Sequence, residues 1–203
     1  VCSSDLMPFH LGYVQFGRLF YPLFPLFMTV GINMVKIHDC AGGKTDTGTD
    51  GLCAVTALIF SAGLSSGLAA GAGSDAAQLF AVCTMGAAGG FLFWGCCPAK
   101  LYLGESGALA IGGLMTMAVL LSGEYFVFLL AGAAVVVDGA CGLLQYIVFK
   151  IRKKLLMKGY TLHEHLQKKG HGDHAVIGIF AVISVAGAAA AIAFLIYSGK
   201  FFI

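Results

Sequence analysis

Three polar segments in an otherwise apolar chain carry nearly all the side chains able to do chemistry. The first, residues 33–52, reads NMVKIHDCAGGKTDTGTDGL and holds Asp39, Asp46 and Asp50 among several glycines. Carboxylates on a loop that glycine lets fold tightly are oxygen donors for a hard cation such as Mg2+, although the same composition suits a plain solvated connection. The second, residues 98–107, reads PAKLYLGESG and runs into an apolar stretch, which puts Glu105 and Ser106 at a helix N-terminus. Free N–H groups and the helix dipole make such a terminus a phosphate site, with Ser106 as N-cap. Glu105 there either complements the dipole or sets a divalent cation against a phosphate. The third reads LHEHLQKKGHGDH, with His163, His165, His171 and His174. Residues two apart share no helix face, so a joint role for His163 and His165 needs a turn or a helix end. The four histidines match no standard zinc spacing. Thr161 and Glu164 stand at capping-box spacing, a structural reason for that glutamate.

A fourth group lies inside an apolar run. Asp138 is a carboxylate at membrane depth, which is costly and marks either function or an interhelical hydrogen bond; Gln145 follows seven residues on, on the same face.

The elements that must position these groups are membrane helices. Of 203 residues, 59% are hydrophobic and only 11% charged, and the mean hydropathy is +0.89, outside the range of water-soluble domains. Six stretches approach the roughly 20 apolar residues a span requires: about 12–35, 53–73, 76–95, 107–122, 125–149 and 174–197. The expected fold is therefore all-α, a polytopic bundle of about six transmembrane helices. If every stretch crosses, the three polar loops share one side. Ten of the twelve Lys and Arg fall on that side, leaving Arg18 and Lys200 opposite, so the positive-inside rule puts the polar loops in the cytoplasm. Gly63, Gly67 and Gly71, four apart, predict close helix packing, as do Gly86 and Gly90. Seven cysteines form no C-x-x-C pair and imply neither a disulfide framework nor zinc. A net charge of +2, spread over loops, argues against a nucleic-acid partner. Residues 1–6 resemble the translation of a common sequencing adapter, which leaves 7–203 as the transmembrane domain.

In this order and on one side of a membrane, the loops resemble the polyprenyl-phosphate hexose-1-phosphate transferase superfamily, and within it the phospho-N-acetylmuramoyl-pentapeptide-transferase family. That family carries an NAVNLTDGLDGLA-type loop, a PAK-hydrophobic-x-GDTGSLALGG segment, a VVEALSVILQ-type helix and a PLHHHFE-type loop. The counterparts are NMVKIHD with TDGLCA, PAKLYLGESGALAIGG, VVVDGACGLLQ and TLHEHLQKKG. The resemblance covers about Leu11 to Ile203 and implies the C-terminal part of a roughly ten-helix fold, without the helices that bear a paired-Asp loop and an active-site Lys. Carried over by position, Asn33 matches the first loop's Asn, Asp50 its second Asp, and either Asp39 or Asp46 its first. Glu105, preceded by Gly104, falls on the acid associated with Mg2+. Gln145 falls on a Gln associated with uridine recognition, and His163 and His165 on the first and third of a His triplet. Four positions depart from the pattern: Lys36 stands for Asn, Gly95 for Asn, Glu105 for Asp and Glu164 for the middle His.

The resemblance implies Mg2+-dependent transfer of phospho-MurNAc-pentapeptide from UDP-MurNAc-pentapeptide to undecaprenyl phosphate, giving lipid I and UMP at the cytoplasmic face of the bacterial inner membrane. Asp39, Asp46, Asp50, His163 and His165 are the expected catalytic residues, and Glu105, Asp39 and Asp50 the expected metal ligands. Asn33, Lys36, Gly104, Ser106, Gln145 and Glu164 are expected around substrate. The lipid bilayer and a second copy of the chain are the implied partners. Two other readings stand beside it: a sibling transferase moving GlcNAc-1-phosphate to the same carrier, and a non-catalytic paralogue that the four departures would suit.

Overall fold

The computed structural model describes residues 4–6, 13–15, 20–39, 51–70, 74–96, 98–154, 157 and 159–199. A short antiparallel pair, β1 (Ser4–Leu6) and β2 (Tyr13–Gln15), precedes eight helices. These are α1 (Phe20–Asp39), α2 (Leu52–Ala70), α3 (Asp75–Gly95), α4 (Gly104–Ser122), α5 (Phe126–Ala131), α6 (Ala133–Arg152), α7 (Leu162–Lys168) and α8 (Asp173–Gly199). Five of them, α2, α3, α4, α6 and α8, are long and apolar enough to cross a membrane, so the chain is an all-α multi-pass membrane bundle. The sixth long helix, α1, carries its apolar run first and then Lys36, His38 and Asp39 in its last turn.

Helix α2 is the central element. It packs against α3 on one side and α8 on the other, while α1 pairs with α4 and α6. Phe60 and Leu64 of α2 are fully enclosed, together with Val35, Met115, Val119, Val127 and Val135. The outer faces are the reverse of a soluble protein: Phe93, Leu79 and Val182 point away from the bundle, which suits hydrocarbon rather than water.

The spaced glycines divide into two kinds. A Cβ on Gly63 would lie 2.6 Å from the Ala188 Cβ and 3.1 Å from its Cα, so α2 and α8 meet backbone to backbone there. Gly67 likewise abuts Leu195 of α8. Gly86 and Gly90 of α3 have nothing within 4 Å, so the packing expected of them is not made among the described residues; Gly71 lies outside those residues.

The stretch 125–149 is not one helix. It breaks at Gly132, where the turn of α5 ends and α6 begins with φ −87° and ψ 16°. Helix α6 runs parallel to α1, with Gly139 against Met34 and Gly142 against Ile37. At that register Asp39, the last residue of α1, lies level with Leu144. The remaining eight residues of α6, about 12 Å at 1.5 Å per residue, continue past the end of α1 and expose Tyr146, Ile147 and Ile151 beside Arg152.

Candidate functional site

The ends of α1 and α6, the start of α4, and α7 come together at one end of the bundle, joined by two polar clusters. The first is centred on Asp138, which is completely buried in α6. Its Oδ2 accepts from His38 Nδ1–H at 2.8 Å and from His163 Nδ1–H at 2.7 Å. Its Oδ1 accepts from the backbone N–H groups of Leu162 and His163 at 2.8 and 3.1 Å. Both histidines face a carboxylate oxygen, which assigns their protons to Nδ1. Asp138 therefore satisfies two of the free donors at the start of α7 and ties that helix to α1 and α6. The two imidazoles meet edge to face, 6.0 Å apart, and Phe180 of α8 closes over His38 at 5.3 Å. His38 Nε2 is buried without a partner among the described residues.

Residues around α7 complete this frame. Thr161 caps the helix by accepting from Glu164 N–H at 3.4 Å, and Glu164 Oε2 accepts from Tyr160 N–H at 2.8 Å, one residue before the Thr161 amide of the usual capping box. Glu164, standing where the related family has a histidine, is thus buried as a structural acid, with Lys168 at 3.4 Å. Gln145 is also buried. Its Nε2 donates to the Met157 and Gly159 carbonyls at 3.2 and 3.0 Å, and its Oε1 accepts from Met157 N–H at 3.3 Å, so both ends of its amide hold the segment after α6.

The second cluster joins α1 to α4. Lys36 Nζ donates to Glu105 Oε1 in an ion pair that faces solvent, the two side chains being 33% and 67% exposed. Gly104 takes φ +67°, a left-handed conformation that favours glycine and turns the chain into α4. Ser106 is not the N-cap; that position is Leu103, and Ser106 lies inside the first turn. The preceding loop folds back on α3, with the Lys100 and Leu101 amides donating to the Trp94 carbonyl at 2.8 and 3.1 Å and the Lys100 ammonium 5.7 Å from the Trp94 ring.

Asp39, three residues beyond Lys36 and past the apolar stretch of α1, is half-buried. Burial pushes its carboxyl up to about 6, partly opposed by His163. Asn33 spends its amide on the Thr29 carbonyl at 2.7 Å within α1. Asp46 and Asp50 lie outside the described residues. His165 sits on α7, part-exposed, on the face opposite His163.

Among the described residues, the only set of three His, Cys, Asp or Glu able to converge on one ion is His38, Asp138 and His163. Sequence reasoning missed His38, whose one signal was its place beside Asp39 in the first polar segment. All four acceptor directions of Asp138 are already used, so this set reads as a hydrogen-bonded joint. Mg2+ prefers hard oxygen donors near solvent, and among the described residues of the first two polar segments the carboxylates are Glu105 and Asp39. An apolar groove of about 390 Å³, lined by Leu23, Phe27, Val30, Leu120 and Tyr125, opens at the opposite end and takes no part in this chemistry.

Residues 2–123 match the family model described as glycosyl transferase family 4. The phospho-N-acetylmuramoyl-pentapeptide-transferase of Clostridium perfringens is 30% identical over 187 residues, covering 90% of this chain and 55% of that protein. The protein of the same name from Carboxydothermus hydrogenoformans is 31% identical over 176 residues, covering 85% of this chain and 51% of its own length. The one from Prochlorococcus marinus is 29% identical over 198 residues, 91% of this chain and 51% of that protein. The chain thus spans about half the length of the curated relatives it matches. A family match over α1 to α4, joined to relatives whose similarity runs on through most of the chain, makes this protein a member of glycosyl transferase family 4.

Proposed function

We propose that the whole protein transfers phospho-MurNAc-pentapeptide from UDP-MurNAc-pentapeptide to undecaprenyl phosphate, with the polar loops in the cytoplasm of a bacterium. A phosphate oxygen of the lipid carrier forms a bond to the sugar-proximal phosphorus. The bond from that phosphorus to the bridging oxygen breaks, and UMP leaves. The observation that carries the reading is the convergence of all the described motif-bearing segments on one end of a membrane bundle, where a lipid-borne phosphate arrives.

Roles follow from what each side chain touches. Glu105 and Asp39 offer carboxylate oxygens of the type that would hold Mg2+, along with Asp46 or Asp50. The ion, when bound, would offset the charge of the diphosphate and of departing UMP. His163 is committed to Asp138, so its part is to hold α7 in place. His165 and the basic residues after α6 are the groups we assign to phosphate or the sugar-peptide. Gln145 shapes the loop that would border the nucleotide. Gly104 and Ser106 form the first turn of α4, whose N–H groups point toward an anion.

The test is release of UMP by the full-length protein in membranes, given undecaprenyl phosphate and UDP-MurNAc-pentapeptide, with Glu105→Ala alongside. Mg2+-dependent release that disappears in the variant supports the proposal. Release with UDP-GlcNAc alone moves the assignment to the sibling transferase, and silence with both donors marks a non-catalytic paralogue.

A further inference from the structure

Two of the four departures from the family pattern touch each other. Lys36 stands where the pattern has Asn, Glu105 where it has Asp, and the two form one ion pair across α1 and α4. Each replacement lengthens its side chain, and the two longer arms meet. We propose that Lys36 and Glu105 are a single matched change, in which the Lys36 ammonium competes with a divalent cation for the Glu105 carboxylate and so weakens Mg2+ binding. This rests on the reading that Glu105 is a metal ligand.

Three features carry it. Glu105 stands in the first turn of α4, which the left-handed turn at Gly104 begins, and its carboxylate meets the Lys36 ammonium there. Lys36 lies in the last turn of α1, three residues before Asp39, hence on the same side of that helix as the second candidate carboxylate. An ammonium at that point repels any cation approaching either acid. Both partners of the pair are open to solvent, where such an interaction is weak and readily screened. The pair is therefore exchangeable: enough Mg2+ displaces Lys36 from the Glu105 carboxylate.

The consequence is a raised Mg2+ requirement that is set by one lysine. An ammonium paired with an exposed carboxylate lowers that carboxylate's affinity for a competing cation by about two- to five-fold, the range expected of a solvent-facing ion pair. Salt acts in two directions, weakening the internal pair and the metal together, so the lysine effect shrinks as ionic strength rises.

The experiment is an Mn2+ titration of the purified full-length protein, read by loss of the free-ion electron paramagnetic resonance signal. It compares wild type, Lys36→Asn, Lys36→Met, Glu105→Gln and the double variant Lys36→Asn with Glu105→Gln. The expected result is that both Lys36 variants bind Mn2+ about two- to five-fold more tightly than wild type, and that adding Glu105→Gln removes the gain. Unchanged affinity in both Lys36 variants, or a gain that survives Glu105→Gln, overturns the proposal. Two different replacements at a solvent-facing position guard against a folding failure in one. The functional reading is judged separately by UMP release. Tighter Mn2+ binding without release from either donor leaves the matched pair standing and removes the transferase; release without any Lys36 effect does the opposite.

Discussion

Replacing Asp138 tests whether α7 is held by one carboxylate. Asp138→Ala leaves four donors without acceptors: the Nδ1–H groups of His38 and His163 and the amides of Leu162 and His163. A buried donor left unsatisfied costs about 1–3 kcal/mol. The Leu162 amide is only part-buried and the cavity allows some relaxation, so we take the low end and expect a loss of about 4 kcal/mol in total. Asp138→Asn keeps one oxygen for the α7 amides but turns an NH2 group toward two imidazole N–H groups. It should cost about half as much, since only the two imidazole bonds are lost or forced through a change of tautomer. Unfolding in mixed micelles by denaturant titration gives the global figures. Amide hydrogen exchange over residues 162–166 reports α7 directly and should accelerate in the order wild type, Asn, Ala. An Ala variant within about 1 kcal/mol of wild type, with α7 still protected, would refute the reasoning.

Three further outcomes follow from particular contacts. Gly63→Ala should destabilise by about 1–3 kcal/mol because α8 backbone lies against it, whereas Gly86→Ala and Gly90→Ala, facing open space, should be neutral or slightly stabilising; melting in detergent ranks them. Asp39 holds its proton more tightly in the folded state, so ionising it costs stability that is absent below its ordinary 3.8 and grows as pH rises through about 6. Asp39→Asn should then raise the melting temperature at about pH 8 and lose that advantage at about pH 4; an equal advantage at both pH values contradicts the burial effect. Gln145→Ala frees the Met157 and Gly159 backbone and should make residues 153–161 a preferred site of limited proteolysis, measured by fragment mapping, while wild type resists cleavage there.

The bundle was legible because lipid leaves so few choices: runs of about 20 apolar residues separated by polar loops can hardly be anything else. The Thr161 to Glu164 cap was legible for a similar reason, since its spacing is local. What escaped were features fixed by contacts distant in sequence. His38 looked like part of a loop, because the apolar run of α1 stops at residue 35, yet the helix continues and turns His38 inward to a carboxylate one hundred residues away. Gly132 gave no warning of a break within an unbroken apolar run. Gln145 resembled a ligand-binding amide, and only the fold shows the backbone groups that engage it. Ser106 was expected as the N-cap but is the third residue of α4, because Gly104 rather than serine chemistry starts the helix. Glu105 was identified as a carboxylate at a helix start, but its partner Lys36 could be found only in space.

The projection of α6 past the end of α1 changes the membrane as well as the protein. On the α1 side, the wall facing hydrocarbon stops where Lys36 and Asp39 begin, whereas on the α6 side Tyr146, Ile147 and Phe149 carry it about 7.5 Å higher, at 1.5 Å per residue, before Lys150. A bilayer cannot match two heights at once, and it adjusts by thickening or tilting at a cost of fractions of a kcal/mol per ångström. A bilayer that met α6 at the greater height and the end of α1 at the lesser one would slope around this protein, with headgroups raised beside α6 and lowered beside Asp39.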